Sequence, residues 1–232
     1  MNYKAMNPFQ QYQQQMPDLI NQVQPRHGTT ILGILYKDGV LLAADRKTTA
    51  GNLVWDTHIK ITKIADNIWI ANSGVVADIE KIAELLKAEM QLYEFEKEIQ
   101  PTASVCANLL SNILYSGYRG YMPYLIAPLV IGKDKDGFKL FDIETAGSFR
   151  EKKDFAFSGS GLVVTLGILE DSYKKGMTKE EAIELAIRAI KAASRRDIGS
   201  GEGMDVVYLD KDGEHELAQE EIQKVLVSLK KQ

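Results

Sequence analysis

The sequence predicts an α+β protein in which antiparallel β-sheets are covered by pairs of helices. Two observations support this fold class. Apolar segments with strand-like character occur in runs rather than singly, and segments with helical periodicity come in pairs between those runs. A doubly wound parallel sheet would instead alternate single strands with single helices. The 232 residues, of which 45% are hydrophobic, can bury a sizeable core.

Four strands are predicted directly after residue 28, in two hairpins. They occupy residues 29–36, 40–46, 59–65 and 68–74. Asp38-Gly39 lies between the first two strands and Asp66-Asn67 between the second two, and both are turn dipeptides. β-branched and aromatic residues fill the flanking segments, which favours an antiparallel sheet.

The rest of the chain alternates helix pairs with further strands. We predict helices at 75–98, 101–119, 161 to about 175, 178–196 and 219–230, and strands at 124–134, 138–145, 155–161 and 204–210. In the first helix the apolar residues recur at three- and four-residue steps, which places them on one face. Thr178 and Glu181 have the spacing of a capping box at the start of the fourth helix. Residues 199–203 form a glycine-rich loop.

The first 28 residues differ in composition from everything that follows. They hold seven glutamines and three charged residues, Lys4, Asp18 and Arg26. A disordered tail and a removable leader both fit this composition. Because a Gly-Thr step and a strand follow, we predict a leader over residues 1–28 and one catalytic domain over residues 29–232.

Composition and length exclude several classes of protein. The 28 basic and 32 acidic residues give a net charge of −4, which argues against a nucleic-acid-binding surface over the whole protein. No apolar run reaches the roughly 18 residues that a transmembrane helix needs. The N-terminus lacks the apolar stretch of a secretory signal. The single cysteine, Cys106, excludes an internal disulfide framework and fits a reducing compartment, so we expect a cytoplasmic protein.

A nucleophile is available at Thr29, although the usual catalytic motifs are missing. The sequence lacks the motifs of nucleotide and zinc sites, so we expect neither a cofactor nor a metal. The histidines, His27, His58 and His215, are each better explained as ordinary polar residues than as the base of a Ser-His-Asp triad. Cleavage after Gly28 would give Thr29 a free α-amine with a pKa of about 8, which could itself take the hydroxyl proton. Without that cleavage, Thr29 is an ordinary strand residue.

Two charged residues stand in otherwise apolar strands. Asp45 ends the second strand, and Lys60 lies between Ile59 and Ile61 in the third. Burying an ammonium group is costly unless it is paired. Lys60 therefore either faces solvent on an edge strand or is a desolvated lysine beside Asp45, close to a nucleophile.

Five motifs occur together after the leader. They are GTTILGI at the Gly28-Thr29 step, AADRKTTAGN, NSGVVAD leading into a helix, FSGSG, and SRRDIGSGEGMDV. In this combination and order the sequence resembles a β-type subunit of the 20S proteasome, most similar to archaeal and bacterial members, from Gly28 to about residue 228. The resemblance implies an N-terminal nucleophile hydrolase fold, which is a four-layer αββα sandwich of two antiparallel sheets. It also implies self-cleavage at Gly28-Thr29 and threonine endopeptidase activity.

The resemblance assigns roles to individual residues. They are the nucleophile Thr29, the catalytic lysine Lys60 with its acidic partner Asp45, the supporting group Ser160, Asp197 and Ser200, and Gly74 as the backbone oxyanion donor. A nearby cation stabilises a developing alkoxide and shifts the threonine amine toward its neutral form. By position, the pocket for the residue before the cut bond is lined by Thr48, Thr62, Asn72 and Val76. Because Asn72 carries no charge, we expect a preference for apolar or neutral side chains.

The resemblance implies protein partners rather than cofactors. It implies β-type neighbours in heptameric rings, two stacked β rings, α-type subunits, a possible ATPase unfoldase, and unfolded proteins as substrates, with neither nucleic acid nor membrane as a partner. The alternative is a non-catalytic structural β-type subunit, or an unprocessed precursor, that contributes only ring interfaces. A different N-terminal nucleophile hydrolase acting on a small amide fits less well, because Asp45, Lys60 and the RRDIGSG motif are specific to the proteasome-like set.

Overall fold

The computed structural model describes residues 28–50, 53–120 and 122–229, and in them runs of strands alternate with helices. Within these ranges the strands are β1 (Thr30–Tyr36), β2 (Gly39–Asp45), β3 (Lys47–Ala50), β4 (Leu53–Thr57), β5 (Ile61–Ala65), β6 (Ile68–Gly74), β7 (Ile126–Asp134), β8 (Gly137–Ile143), β9 (Phe149–Lys152), β10 (Phe155–Gly159), β11 (Met204–Asp210) and β12 (Gly213–Glu216). The helices there are α1 (Val76–Lys97), α2 (Ala103–Arg119), α3 (Leu162–Ser172), α4 (Lys179–Arg196) and α5 (Gln219–Ser228).

Two antiparallel sheets of five strands each form the centre of the described fold. The first sheet has the order β10-β1-β2-β11-β12 and the second the order β5-β6-β7-β8-β9, while β3 and β4 pair as a separate hairpin. Helices α3 and α4 pack on the first sheet, and α1 and α2 pack on the second. A third apolar cluster lies between the two sheets. This arrangement confirms the predicted α+β class and the αββα order of layers.

Strands β1 and β2 are buried on both faces because their sheet lies between a helix layer and the second sheet. Ile31 and Leu42 belong to the cluster between the sheets. Leu32 and Leu41, one residue away in each strand, belong to the cluster beneath α4. Side chains of a strand alternate between its faces, so burial of both faces explains why these segments read as nearly continuous apolar runs.

The helix predictions from periodicity are confirmed. The buried residues of α1 are those of the predicted stripe, namely Ile79, Ile82, Ala83, Leu86 and Met90. The capping box is present at α4, where Glu181 N donates to the Thr178 hydroxyl at 3.2 Å and Thr178 N donates to the Glu181 carboxylate at 2.7 Å. None of the described helices combines the length and the apolar character that crossing a membrane would require.

Sequence reasoning missed four short strands, all of them rich in polar residues. They are β3 and β4, which pair with each other, and β9 and β12, which are edge strands of the two sheets. The sequences of β9 (FREK) and β12 (GEHE) lack apolar alternation, because an edge strand can leave its charged side chains in solvent. Their position is determined by backbone pairing with β8 and β11, which hydrophobic periodicity cannot reveal.

Candidate active site

Thr29 lies one residue before β1 and is buried, with 4% of its surface exposed. Its backbone N–H donates to the Ser160 hydroxyl at 3.1 Å. Its hydroxyl donates to the carbonyl oxygen of Gly28 at 2.6 Å. Its own carbonyl accepts from the N–H of Gly161 at 3.4 Å. The hydroxyl of Thr29 therefore lies beside the carbonyl group of the bond at which cleavage is predicted.

Lys60 is buried in a salt bridge with Asp45. Its ammonium nitrogen lies 2.6 Å from Asp45 Oδ1, and the two side chains are 5% and 0% exposed. Asp45 Oδ1 also accepts the N–H of Thr30 at 2.7 Å, and Oδ2 accepts those of Gly201 at 2.8 Å and Lys47 at 3.1 Å. Of the two alternatives for Lys60, a solvent-facing edge position is wrong, because the side chain is enclosed and paired.

Burial dominates the electrostatics of this pair. It lowers the pKa of the Lys60 ammonium from its ordinary value, while the charges of Asp45 and Asp197 act in the opposite direction. Burial also raises the pKa of the Asp45 carboxyl, against the effect of the lysine and of its backbone donors. Four hydrogen bonds to the carboxylate oxygens compensate for the lost hydration, so we expect both groups to stay charged at neutral pH.

Ser160, Asp197 and Ser200 form one hydrogen-bonded chain, although they come from three separate segments. Ser160 follows β10, Asp197 follows α4, and Ser200 lies in the glycine-rich loop. Asp197 Oδ2 accepts from Ser160 Oγ at 2.5 Å and from Ser200 Oγ at 2.6 Å. Since the Ser200 proton goes to Asp197, Ser200 accepts from the Thr30 hydroxyl, 2.6 Å away. This chain thus reaches both Thr29 and the first residue of β1.

Gly74 occupies a position at the end of β6 that admits only glycine. Its φ is +130°, and a Cβ atom there would lie 2.0 Å from the Leu125 carbonyl oxygen. The hydroxyl of the preceding residue, Ser73, lies 2.9 Å from that of Ser158 in β10. This contact places the end of β6, just before α1, against the strand that pairs with the start of β1. The oxyanion role of Gly74 stays a prediction.

The predicted pocket residues come from four different elements. Thr48 lies in β3, Thr62 in β5, Asn72 in β6 and Val76 at the start of α1. Alternation along β5 and β6 places Thr62 with Ile64, and Asn72 with Ile70, on the side that faces α1 and α2. Asn72 is 1% exposed, and within the described part of the chain its side-chain amide has no hydrogen-bond partner. A buried amide without a partner is costly, so it is suited to a polar group that enters from outside.

The histidines are not joined to Thr29 by any hydrogen bond in the described part of the chain. His215 lies in β12, where its ring stacks on Tyr208 with 4.7 Å between the centroids. Its Nε2 lies 3.3 Å from Asp210. His58 lies in the connection that precedes β5, and His27 lies outside the described residues. Among the described residues no cluster of His, Cys, Asp and Glu could hold a metal ion.

Sequence reasoning missed a second ion pair that supports the site. Arg46 Nε lies 3.0 Å from both carboxylate oxygens of Asp205. The backbone N–H groups of Arg46 and Lys47 both donate to the carbonyl of Gly201, at 3.1 and 3.0 Å. These contacts fix the glycine-rich loop to the end of β2. The signal in the sequence was an arginine directly after Asp45 and an aspartate at the start of β11, but their pairing depends on the strand register.

A sandwich of two antiparallel sheets between outer helix pairs, with a Gly-Thr step at the start of a central strand, defines the class of N-terminal nucleophile hydrolases by its fold. Comparison with known proteins narrows this class. A family profile described as "Proteasome subunit" matches residues 25–209. The chain belongs to the proteasome subunit family, and its relatives make it a β-type subunit.

Curated relatives match most of the chain. "Proteasome subunit beta" of Archaeoglobus profundus is 42% identical over 205 residues, which are 88% of this chain and 94% of the relative. "Proteasome subunit beta" of Ferroglobus placidus is 42% identical over 204 residues, covering 88% and 96%. The protein of the same name from Methanopyrus kandleri is 41% identical over 201 residues, covering 86% and 95%. β-Type subunits are generally peptidases that assemble with other proteasome subunits into rings.

Proposed function

We propose that the chain is a threonine endopeptidase of a proteasome core particle, made active by cleavage between Gly28 and Thr29. One observation carries the proposal. The hydroxyl of Thr29 lies 2.6 Å from the Gly28 carbonyl oxygen, and the backbone nitrogen of the same residue lies 3.1 Å from Ser160. The nitrogen that would become an amine already has a hydrogen-bonding partner, and the hydroxyl already lies at the bond to be cut.

Self-cleavage removes the leader in two steps. The Thr29 oxygen forms a bond to the Gly28 carbonyl carbon, the carbon–nitrogen bond breaks, and the hydroxyl proton ends on the released nitrogen, which leaves an ester. Water then hydrolyses the ester, so that Gly28 ends in a carboxyl group and Thr29 regains its hydroxyl. The ammonium of Lys60, fixed by Asp45, stabilises negative charge that develops on the oxygen.

The same residues then act on peptide substrates. The new α-amine has an ordinary pKa of about 8, so much of it is a neutral base in the pH range in which cells work. It takes the proton of its own hydroxyl as the oxygen attacks the substrate carbonyl. Ser160 and Asp197, 2.5 Å apart, orient the amine, and the N–H of Gly74 receives the oxyanion.

Substrates and partners follow from the pocket and the family. The neutral amide of Asn72 supports a preference for apolar or neutral residues before the cut bond. We place the chain in a heptameric β ring that is stacked on a second β ring and flanked by α-type subunits, in the cytoplasm. An ATPase unfoldase would supply unfolded proteins to this chamber.

The test replaces the nucleophile. Thr29→Ala should retain residues 1–28 in the assembled particle, shown by intact mass, and should not cut fluorogenic peptides. Thr178→Ala makes the same chemical change at the cap of α4 and should keep both activities. A Thr29→Ala particle that still loses its leader and still cuts peptides would refute the proposal. A native particle that assembles with residues 1–28 intact would indicate a structural subunit instead.

A further inference from the structure

Two glycines from distant parts of the chain touch backbone to backbone beside the predicted cleavage site. A Cβ atom added to Gly28 would lie 1.8 Å from the Cα of Gly199 and 2.3 Å from its carbonyl oxygen. A Cβ atom added to Gly199 would lie 2.1 Å from the Cα of Gly28. Separations this short do not occur between non-bonded atoms, so neither position accepts a side chain while the two residues stay in place.

Gly28 cannot move away from this contact without moving the bond to be cut. Its N–H donates to the hydroxyl of buried Thr49 at 2.8 Å, and its carbonyl accepts from the Thr29 hydroxyl at 2.6 Å. Both hydrogen bonds lie within the four atoms that define its peptide geometry. A shift of about 1 Å at a reacting carbonyl reduces a rate by about a hundredfold.

Gly199 is held equally firmly from the opposite side. Its N–H donates to Asp197 Oδ1 at 3.2 Å, and the N–H of Ser200 donates to the Asp197 carbonyl at 3.2 Å. Two residues later, Gly201 donates to Asp45 Oδ2 at 2.8 Å. The backbone of Gly199 is outside the left-handed region, so its conformation does not require glycine. The requirement comes from the contact with Gly28.

We propose that Gly199 is a positioning residue for self-cleavage, which makes that reaction specific for a glycine before Thr29. The contact exists only in the uncut chain, because Gly28 leaves with the leader. Cleavage itself joins Thr29 oxygen to the Gly28 carbonyl carbon, breaks the carbon–nitrogen bond with the proton ending on nitrogen, and consumes one water at the ester. Gly199 takes no part in these bonds; it fixes the position of the carbonyl. The inference rests on the proposed function.

After cleavage, a side chain at residue 199 meets a much weaker obstacle. With Gly28 gone, the nearest remaining neighbour of a Cβ atom there is the Ser160 hydroxyl at 3.0 Å, which needs to move by only a few tenths of an ångström. Gly199→Ala should therefore separate two reactions of the same nucleophile. Self-cleavage should be slowed strongly, whereas peptide hydrolysis by a chain that begins at Thr29 should be slowed little.

The experiment compares two forms of the same variant. The full-length chain is assembled and its mass is followed over time. In parallel, ubiquitin is fused directly ahead of Thr29 and removed by a deubiquitinating enzyme, which provides the leaderless form. We expect Gly199→Ala to lose its leader about a hundredfold more slowly than the native chain, and its leaderless form to keep kcat/KM within about tenfold of native. Gly167→Ala in α3, where an added Cβ meets nothing within 4 Å, is the matched control and should change neither rate.

A second variant addresses the same contact from the other side. Gly28→Ala should also retain the leader, and its leaderless form is identical to the native one by construction. Normal leader loss in Gly199→Ala or in Gly28→Ala would overturn the inference. An inactive leaderless Gly199→Ala would do so as well, because the residue would then serve catalysis in general. A native chain that never loses its leader would instead remove the proposed self-cleavage, and the inference with it.

Discussion

The described fold holds two lysine–carboxylate clusters of similar composition in opposite settings. Lys60 and Asp45 are enclosed between the sheets, whereas Lys139 lies on β8 between Asp136, 2.7 Å away, and Glu151 on β9, 2.9 Å away. Burial lowers the pKa of Lys60. Hydrogen bonds from Asp136 and Glu151 raise that of Lys139. The same pair of residue types is therefore shifted in opposite directions, according to whether desolvation or contact dominates.

This contrast separates a reactive site from a stabilising one. An ammonium that is poorly hydrated interacts strongly with any charge that develops near it, and an exposed one is screened by water and salt. The predictions below test whether the two clusters differ as much in behaviour as they do in setting.

The largest expected effect is on peptide hydrolysis by the leaderless chain. Lys60→Ala removes the cation beside the nucleophile and should reduce kcat/KM by about a thousandfold, the loss typical of one preorganised electrostatic group. Lys139→Ala makes the same change in the surface cluster and should leave kcat/KM unchanged. Fluorogenic peptide assays measure both. Equal activity of the two variants would show that burial of Lys60 has no role in the chemistry.

The next effect is on folding stability. Asp45→Asn keeps the size of the side chain and leaves Lys60 without its counter-charge in a buried position. The free energy of unfolding should fall by about 3 kcal/mol or more, as is usual when one member of a buried pair is removed. Asp136→Asn in the surface cluster should hardly change the urea midpoint. A similar midpoint for Asp45→Asn and the native chain would mean that Lys60 is neutral in the folded protein.

The pH dependence of the two clusters should differ in sign. Because the pKa of Lys60 is lowered in the folded protein, the unfolded chain binds this proton more tightly between the two pKa values, so the contribution of Lys60 to unfolding free energy rises with pH there. Hydrolysis should instead decline as Lys60 loses its proton, at a pH below the ordinary lysine value of 10.5. A pH–rate profile of the leaderless chain locates this decline. Constant activity up to pH 10.5 would contradict the lowered pKa.

The contrast also explains what the sequence could predict. Periodicity identified α1 to α5, and turn dipeptides identified the hairpins of β1 with β2 and β5 with β6, because these signals are local. The lysine between two isoleucines identified Lys60 by its cost of burial, but its pairing with Asp45 remained one of two alternatives. The surface cluster gave no signal, because charged residues in an edge strand such as β9 are common in any chain.

Longer-range features needed the resemblance or the structure. Ser160 and Asp197 are 37 residues apart, and Ser160 reaches Thr29 across 131 residues. No spacing rule connects such positions, so their roles came from matching motifs. The contact of Gly28 with Gly199 could not be foreseen at all, because it consists of two backbones in van der Waals overlap range and leaves no pattern of side chains.

The smallest expected effect completes the comparison on the surface side. Glu151 accepts hydrogen bonds from Lys153 and Lys139, and chiefly the bond from Lys153 lowers its pKa. A lowered carboxyl pKa contributes stability that is present above the ordinary value and is lost as pH falls through the folded value. Since the carboxylate is one-third exposed, Glu151→Gln should cost less than about 1 kcal/mol at neutral pH.

Salt should identify the origin of that small cost. Urea unfolding of native chain and Glu151→Gln at low ionic strength should show the difference, and about 1 M salt, where the Debye length is about 3 Å, should reduce it. The Asp45→Asn difference should persist in the same salt, because ions do not enter the space between the sheets. If salt removed both differences equally, the enclosed pair would be as well solvated as the surface cluster, and the special chemistry assigned to Lys60 would lose its physical basis.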